Sequence, residues 1–320
     1  MKDPVKEPAA KYPVSPNEEG QRLDNYLLRR IKGVPKSYIY KIIRDGQVRL
    51  NSGRAKPTTR LSSGDIVRIP PLRRATAHEL PADLADKLVH PKILFEDDDL
   101  LVVTKPPGLA AHSGSGQRVG LIELLRMKRE GYLELAHRLD KDTSGVIALA
   151  LNVKALRSLH AQFQDSRGSN YLSKKYLALV NGQWRGGHRE INQPLLTIQT
   201  SSATKQSVAR ADGRSAVSIF TPLEKYKHFT LMEIELKTGR LHQVRAHAQI
   251  AGFPVAGDSL YGSKAVNRRL RSIGLRRQFL HASSLGFVHP RSGKVIQVNA
   301  PLPQDLGAVI ARLPEIDGVD

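Results

Sequence analysis

The sequence contains no cysteine in its 320 residues. Thiolate zinc sites and a thiol nucleophile are therefore excluded, and any covalent chemistry has to use oxygen or nitrogen atoms. The lack of cysteine is also compatible with a reducing compartment. No apolar run approaches the roughly 20 residues needed to cross a bilayer, and Met1–Pro4 lacks the apolar stretch of a secretory signal. We therefore expect a cytoplasmic protein that is not bound to a membrane.

Acidic residues are scarce relative to basic ones. The chain has 50 Lys and Arg against 30 Asp and Glu, which gives a net charge of +20. This excess indicates a polyanionic partner, because each neutralised phosphate releases a condensed counterion. With membranes set aside, the composition predicts binding to RNA or DNA. The length is sufficient for two domains.

The deficit of acidic residues is most pronounced in residues 20–74, which hold 14 Lys and Arg but only 3 Asp and Glu. Leu23, Tyr26 and Leu27 have the spacing of one helix face, and a second helix is predicted from Ser37 to Gly46. Alternating residues in 47–50 and 65–69 predict two strands. A solvated basic face would be balanced by acidic residues, so we favour a compact nucleic-acid-binding domain. Residues 1–19 are predicted to be a disordered lead-in.

Residues 75–90 are interpreted as a linker, and the character of the chain changes after them. Short β-rich runs alternate with helical patterns near 154–164 and 240–251, without a regular βαβ rhythm. This mixture predicts an α+β domain with a mixed sheet over 91–303, and residues 304–320 are interpreted as a C-terminal tail. The predicted strands are 93–96, 100–103, 145–150, 176–180 and 230–236.

The densest polar cluster runs from His137 to Gly145, directly before an apolar strand. Its Asp-x-Asp-x-Ser-Gly spacing is similar to the start of a calcium loop, but the twelfth position holds Leu151 where such a loop requires Glu. From the residues alone, two interpretations remain. The segment is an ordinary turn whose polar side chains satisfy backbone groups, or it presents a catalytic carboxylate, either Asp140 or Asp142.

The cluster has the pattern His-Arg-Leu-Asp-x-x-Thr-Ser-Gly, which resembles the signature of the RluA/RluC-type pseudouridine synthases. Residues 20–65 resemble the alpha-L, S4-like RNA-binding module found in that family, and the length and residues 33–40 are most similar to the RluC type. Residues 164–173 form a longer segment than the family pattern has. The other matching segments are Lys105–Leu109 with His112, Lys174–Gly182, Thr238–His247, Gly257–Gly262 and Leu280–Ala282.

The resemblance implies a bent, mixed, largely antiparallel sheet with flanking helices, and a catalytic set of Asp140, Tyr176 and Arg245. Asp140 occupies the nucleophile position of the family, whereas Asp142 does not. Arg245 is then the cation that keeps the carboxylate ionised and oriented; its alternative is a phosphate contact. Tyr176 would stack on the uracil and exchange a proton. The alternative interpretation of Tyr176 is a structural tyrosine in the hydrophobic core.

Pseudouridine formation breaks the bond from C1′ to N1 and joins C1′ to C5, and no atom is gained or lost. We therefore expect neither a cofactor nor a metal. A carboxylate can attack C1′ or C6, or stabilise an oxocarbenium-like sugar. His242 and His247 are close to helical spacing, but no carboxylate lies between them as in a zinc motif. They are interpreted as structural or RNA-facing residues.

The target base must leave its stack before Asp140 can reach it, and Arg138 is predicted to fill the vacated space. The expected partner is large-subunit ribosomal RNA, and the expected state is a monomer. Two alternative functions are a catalytically silent RNA-binding assembly factor and a glycosidase or nucleosidase; the charge disfavours a small neutral sugar. The other predicted RNA-binding residues are Lys36, Lys41, Arg44, Arg54, Arg268 and Arg269.

Overall fold

The computed structural model describes residues 5–31, 34, 36–74, 91–112, 119–164, 171–200 and 204–317. The chain divides into two compact units. The first contains residues 1–90, 130–134 and 150–156, and the second contains residues 91–129, 135–149 and 157–320. The predicted linker 75–90 lies outside the described residues. Among the described helices, none combines the length and apolar character that a membrane crossing requires.

The first unit combines two helices with short strands. Its strands form a three-stranded sheet in the order β2-β4-β3 and an antiparallel pair of β1 with β5. The apolar faces of both helices are buried with Val67 and Ile69 of β4. The predicted helices and strands are therefore confirmed. The elements are β1 Val5–Glu7, β2 Ala10–Pro13, α1 Leu23–Arg30, α2 Lys36–Arg44, β3 Arg49–Leu50, β4 Ile66–Ile69 and β5 Leu72–Arg74.

The expected disorder of residues 1–19 is corrected by the structure for residues 5–19, and residues 1–4 lie outside the described residues. Strand β2 pairs antiparallel with β4, and Val14 is buried in the core of this unit. The backbone amide of Ser15 donates to the Glu18 carboxylate over 3.0 Å, and Glu18 in turn binds Arg29 and Arg30. Composition alone was misleading here because backbone pairing with a later strand, rather than local hydrophobicity, orders this segment.

The second unit is built around a large sheet that is antiparallel at most of its strand pairs. The strand order is β11-β14-β15-β10-β16-β9-β7-β6, with β17 beside β16 and β8 beside β9. Strands β9 and β16 pair in parallel. The predicted α+β class with a mixed, largely antiparallel sheet is therefore confirmed, and each strand predicted in this part of the chain is present.

The strands of this unit are β6 Ile93–Glu96, β7 Leu100–Lys105, β8 Glu134–Leu135, β9 Ser144–Ala150, β10 Leu172–Asn181, β11 Arg189–Asn192, β12 Leu195–Gln199, β13 Lys205–Ala209, β14 Val217–Lys225, β15 Phe229–Leu236, β16 Leu280–Val288 and β17 Val295–Asn299. Its helices are α3 Leu121–Lys128, α4 Val153–Gln164, α5 Gln243–Ile250, α6 Lys264–Ser272 and α7 Gln304–Asp317, of which α4 begins in the first unit.

Helix α5 packs on the face of the sheet that carries the candidate site. Its Val244 and Ala248 are buried against Ala178 and Val180 of β10, and Tyr176 packs against the same cluster. Alternate residues of a strand point to the same side, so residues 174, 176 and 178 of β10 share the face that α5 covers.

The interpretation of residues 304–320 as a tail is also corrected. Residues 304–317 form α7, and its Leu306, Val309, Leu313 and Ile316 are buried in one cluster with Leu270 of α6. These four positions recur at the spacing of a helix face. The family resemblance ends near residue 301, and the signal for α7 is the helical period of the apolar residues after it.

Candidate active site

The turn that carries Asp140 is fixed at both ends. On its N-terminal side, His137 stacks on Phe163 with ring centroids 4.7 Å apart, and its Nε2 accepts a hydrogen bond of 3.0 Å from the backbone amide of Ala148. Burial, together with the charge of Lys174, lowers the pKa of His137 to about 3. The ring is therefore a neutral anchor of the turn onto β9.

The C-terminal side of the turn is fixed by close approach to β16. Gly145 has φ +120°, and a Cβ there would lie 2.1 Å from the carbonyl oxygen of Ala282. Gln278 donates to Thr143 Oγ1 over 2.7 Å, and Ser144 Oγ lies 3.0 Å from His281 Nδ1. The Thr-Ser-Gly part of the motif thus locks the turn to its parallel neighbour, and only glycine fits at position 145.

Asp140 lies beside a buried arginine, as the resemblance implied. Arg245 Nη1 donates to Asp140 Oδ2 over 3.1 Å, while the Arg245 side chain is 8% exposed and that of Asp140 is 20% exposed. The same guanidinium makes two bonds to Asp258, at 2.6 Å from Nε and 3.0 Å from Nη2. One arginine therefore joins a buried carboxylate to a partly accessible one.

Opposing effects set the charge state of this trio. Burial alone would lower the pKa of Arg245, but its bonds to Asp258 and the charges of both carboxylates raise that pKa above the ordinary value. Burial would raise the pKa of Asp258, and the bonds to Arg245 outweigh it and lower the pKa. Arg245 is thus a permanent positive charge beside Asp140.

Asp258 is a site residue to which sequence reasoning gave no role. Its Oδ1 accepts the backbone amides of Leu260 and Tyr261 at 2.9 Å and 3.0 Å, and its carboxylate is fully buried. Gly262 next to it leaves no room for a Cβ, which would lie 2.5 Å from the Asp258 carbonyl oxygen. The Gly-Asp-x-x-Tyr-Gly pattern was the available signal, and its function is to build a rigid acceptor for Arg245.

Tyr176 lies half-buried on β10, on the face that α5 covers. Burial raises the pKa of its hydroxyl, and the negative charge of Asp140 raises it further. The hydroxyl therefore stays protonated at neutral pH and acts as a donor rather than a base.

His242 and Tyr261 form the wall next to Asp140. His242 adopts a left-handed backbone with φ +52° at the start of α5, and its Nε2 lies 3.7 Å from Asp140 Oδ2. Its Nδ1 lies 3.2 Å from the hydroxyl of Tyr261. Burial lowers the pKa of His242, so the ring is neutral at neutral pH. By contrast, His247 is fully buried between Ser218 Oγ at 2.9 Å and the Gln193 carbonyl at 3.0 Å, which is a structural position.

Lys105 links the preceding loop to the Asp140 turn. The ammonium group is fully buried and donates to the carbonyl oxygens of Pro106, Leu109 and Lys141 at 2.7–2.9 Å. Burial lowers the pKa of Lys105 to about 7. The role of the Lys-Pro-Pro-Gly segment is therefore to brace the turn from one side.

The predicted nucleic-acid-binding residues fall into two groups. Lys41, Arg44 and Arg54 are exposed in the first unit, and Lys36 begins α2. Arg138 and Arg268 are exposed in the second unit.

Arg269, one of the predicted RNA-binding residues, and the nearby Arg277 both bind α7. Arg269 donates to the carbonyl of Ile316, and Arg277 pairs with Asp305 at 2.7 Å. Arg277 also donates to the carbonyl of Asp142 over 3.1 Å. The RNA-binding role of Arg269 stays a prediction, and both arginines have a structural contact with α7 as well.

One further cluster contains potential metal ligands away from Asp140. Oxygen or nitrogen atoms of Asp97, Asp99 and His289 lie within 4.8 Å of one another. However, His289 Nδ1 accepts backbone amides from Arg291 and Ser292, so its Nε2 carries the proton that Asp97 accepts at 2.7 Å. Arg291 already pairs with Asp99 at 2.6 Å. The groups satisfy one another as a hydrogen-bonded network.

Comparison with known proteins agrees with this geometry. Residues 99–249 match the family described as RNA pseudouridylate synthase, and residues 21–67 match the S4 domain. The chain is 43% identical to ribosomal large subunit pseudouridine synthase C of Pasteurella multocida, over 94% of this chain and 93% of that protein. It is also 43% identical to the protein of that name from Escherichia coli K12, over 94% and 95% of the two chains.

A solved structure supports the fold. The human RNA pseudouridylate synthase domain containing 4 protein aligns with a TM-score of 0.57 at 24% identity, over 72% of this chain and 96% of that one. Fold and site together define an RNA pseudouridine synthase. The chain belongs to the RluC-type members of this family, which confirms the resemblance seen in the sequence.

Proposed function

We propose that this protein converts specific uridines of large-subunit ribosomal RNA to pseudouridine in the cytoplasm, acting as a monomer with Asp140 as the nucleophile. The observation that carries the proposal is the position of Asp140: it is partly accessible, fixed by a turn anchored at both ends, and bonded to the buried Arg245. The printed names of the relatives, ribosomal large subunit pseudouridine synthase C, supply the class of RNA.

The geometry supports a role for each group. The Asp140 carboxylate faces the reacting nucleoside, and Arg245 orients it because Asp258 holds the guanidinium on its far side. During isomerisation the C1′–N1 bond breaks, the uracil turns, C1′ bonds to C5, the hydrogen on C5 leaves as a proton and N1 gains a proton. Tyr176, which stays protonated, is suited to pack on the ring and to donate a hydrogen bond.

The RNA is held by both units. In the first unit the exposed cations of α2 and the following turn, Lys41, Arg44 and Arg54, are suited to phosphate contacts. In the second unit Arg138 is exposed next to the catalytic turn, and its charge contributes to the lowered pKa of His242. A stacking arginine at this position is suited to fill the gap left by an extruded base.

The test is a map of pseudouridine in total RNA, read as reverse-transcription stops after carbodiimide treatment. Cells that lack the gene are complemented with wild type, Asp140→Asn or Asp142→Asn. We expect stops in large-subunit RNA with wild type and Asp142→Asn, and none with Asp140→Asn, whose RNA binding in vitro is retained. Stops that persist with Asp140→Asn, or vanish only with Asp142→Asn, would assign the chemistry to another acid.

The silent RNA-binding factor remains the alternative function. It predicts that the wild-type map equals the deletion map, whereas ribosome assembly is restored equally by wild type and Asp140→Asn. A hydrolase would release free uracil and change the mass of the RNA, and an isomerase leaves that mass unchanged.

A further inference from the structure

A group of three cations lies beside the candidate active site on the α5 side of the sheet. Lys174 is on β10, Arg240 is in the loop before α5, and Arg214 precedes β14. The backbone of the loop connects them: Lys174 Nζ donates to the Thr238 carbonyl over 3.2 Å, and Arg240 Nε donates to the Ser215 carbonyl over 2.8 Å. We call these three residues the Lys174 cluster.

The cluster is close to the reacting groups. Lys174 and Tyr176 are alternate residues of β10 and share the face that α5 covers. Arg240 belongs to the same short segment as His242, whose ring lies 3.7 Å from Asp140. The positive charge of Lys174 also lowers the pKa of His137, at the start of the catalytic turn.

The charge of the cluster is not balanced. Among the residues that the structure describes, no carboxylate forms an ion pair with Lys174, Arg214 or Arg240. The contrast with Lys175 is direct, because this next residue points to the other face and pairs with Glu233 at 2.9 Å. Lys174 is only 7% exposed, so its ammonium is buried with a single carbonyl acceptor among the described residues. Lys105, the other buried lysine, has three such acceptors.

Burial of an uncompensated cation is costly, so buried charges are normally paired, and an anion bound at Lys174 would supply the missing partner. The electrostatics agree: burial lowers the pKa of Lys174 to about 8, and the charge of Arg240 adds to that shift. Burial and the charge of Arg214 lower the pKa of Arg240 as well. Gly239 and Ser215 beside the cluster are exposed, and a Cβ on Gly239 would lie 3.8 Å from Lys174 Nζ, at ordinary van der Waals distance, so the ammonium is next to an exposed part of the chain.

We propose that the Lys174 cluster is a subsite for one backbone phosphate of the RNA next to the target uridine, with Lys174 and Arg240 as its ligands and Arg214 at its rim. The inference rests on the proposed function, since RNA supplies the anion. A phosphate here completes the hydrogen bonds of Lys174 and fixes the strand on one side of the extruded nucleotide. Arg138 and Asp140 then act on a substrate whose backbone is already anchored.

The experiment combines substitutions in the protein with uncharged analogues of single phosphates in the RNA. The probe is an RNA hairpin that contains a uridine identified by the map above, with a single methylphosphonate placed in turn at each phosphate around it. Binding is measured with Asp140→Asn protein, so that no turnover occurs. Lys174→Gln and Arg240→Gln are introduced in that background, and the matched control is Lys175→Gln, which removes the neighbouring charge on the opposite face.

With unmodified RNA, we expect Lys174→Gln to weaken binding about tenfold, as for one charge-assisted bond. The slope of log affinity against log salt should flatten by about 0.7–0.9. At one position, the methylphosphonate should weaken binding to the Asp140→Asn protein by a similar factor. The same methylphosphonate should not weaken binding to the Lys174→Gln variant any further. Lys175→Gln should respond to that position like the parent, and Lys174→Arg should restore binding.

Two outcomes overturn the subsite. In the first, the loss of affinity caused by Lys174→Gln adds to the loss caused by the methylphosphonate at every position. Lys174 would then touch no phosphate of this RNA. Unchanged affinity together with a lower melting temperature of Lys174→Gln means that the lysine only supports the loop through Thr238. Failure of the proposed function is read separately, because turnover by the Asp140→Asn protein would contradict the catalytic role and leave the binding comparison interpretable.

Discussion

At the scale of single residues, the arrangement around Arg245 determines how much freedom the Asp140 carboxylate has, which is the proposed nucleophile. Arg245 is buried and makes three of its hydrogen bonds to carboxylates, two to Asp258 and one to Asp140. Asp258 is in turn held by two backbone amides. Because Asp258 fixes the guanidinium from behind, Asp140 receives a bond whose direction is set before substrate binds, which is the preorganisation that electrostatic catalysis needs.

Asp258→Ala should therefore reduce both stability and turnover. The substitution leaves the buried Arg245 guanidinium with Asp140 as its remaining carboxylate partner. Removal of one member of a buried ion pair costs about 3–5 kcal/mol of stability. Denaturant unfolding measures the first effect and single-turnover modification of an RNA hairpin the second. Asp212→Ala is the control, since Asp212 pairs with Arg210 but is 61% exposed on its side chain. Equal stability of wild type and Asp258→Ala would show that Arg245 is held by other groups.

Arg138→Ala should impair base extrusion more than docking. Arg138 lies two residues before Asp140 and is exposed, and stacking by an arginine offsets about 1–3 kcal/mol of the unstacking cost. The loss of rate should be large on a folded hairpin and smaller on a loosened variant with the same local sequence. Equal losses on both substrates would identify Arg138 as a phosphate anchor or a structural residue.

The lowered pKa of Lys174 gives a stability effect that depends on pH. The pKa is about 8 in the folded protein and 10.5 in the unfolded chain. Between these values the unfolded chain binds the extra proton, so the stability of the wild type rises with pH. Lys174→Gln has no proton that titrates at this position. Relative to this variant, the free energy of unfolding of the wild type should rise by about 2 kcal/mol between about pH 7.5 and pH 9.5. Urea unfolding of both proteins at the two pH values measures this rise. If the difference in free energy of unfolding between the two proteins does not change with pH, the pKa of Lys174 is near its ordinary value.

At the scale of elements, α7 supports the candidate site. It buries four apolar side chains against α6, and its Asp305 holds Arg277, which donates to the carbonyl of Asp142 in the turn that carries Asp140. The turn is thus braced by Lys105 on one side and by Arg277 on the other. A segment outside the recognisable motifs contributes to the rigidity of the site.

Leu306→Ala should therefore destabilise the protein substantially. Leu306 is fully buried on α7, and truncation of a buried leucine to alanine costs about 2–5 kcal/mol. Thermal and denaturant unfolding give the value, with the exposed Glu315→Ala on the same helix as the control. A change below about 0.5 kcal/mol in Leu306→Ala would mean that α7 detaches without cost to the rest of the unit.

The elements show what the sequence could predict and what it could not. Period and alternation identified α1, α2 and the central strands, and the family motifs identified Asp140, Tyr176 and Arg245 as neighbours of one site. Asp258 had no assigned role because its function depends on a bond across space rather than on a local pattern. The order of residues 5–18 depends on pairing of β2 with β4, and that of α7 on packing against α6; neither is visible in composition.

At the scale of the whole molecule, the net charge of +20 is used in different ways along the chain. Some cations have internal tasks: Arg245 orients a carboxylate, Lys105 braces a turn, and Arg269 and Arg277 hold α7. Others are exposed, with Lys41, Arg44 and Arg54 close together in the sequence of the S4 domain. The exposed cations contribute counterion release on binding RNA.

A triple variant, Lys41→Gln with Arg44→Gln and Arg54→Gln, should therefore weaken binding of large-subunit RNA and leave the chemical step intact. Each lost phosphate contact flattens the slope of log affinity against log salt by about 0.7–0.9, so three contacts give a change of about two to three. The rate on saturating RNA should stay within about twofold of wild type, because the change affects docking and not the transition state. Affinity is measured from about 50 to about 300 mM salt, a range wide enough to determine the slope of log affinity against log salt.

The control for this triple variant is Lys294→Gln, an exposed lysine in the turn between β16 and β17, which should leave the slope unchanged. The comparison separates a specific docking surface from a general effect of net charge, since any removed cation lowers the long-range attraction slightly. If the triple variant keeps the full salt slope, the exposed cations of α2 do not contact phosphates. If its rate on saturating RNA falls as much as its affinity, the S4 domain positions the uridine at Asp140 as well as docking the RNA, and the division between docking and chemistry is wrong.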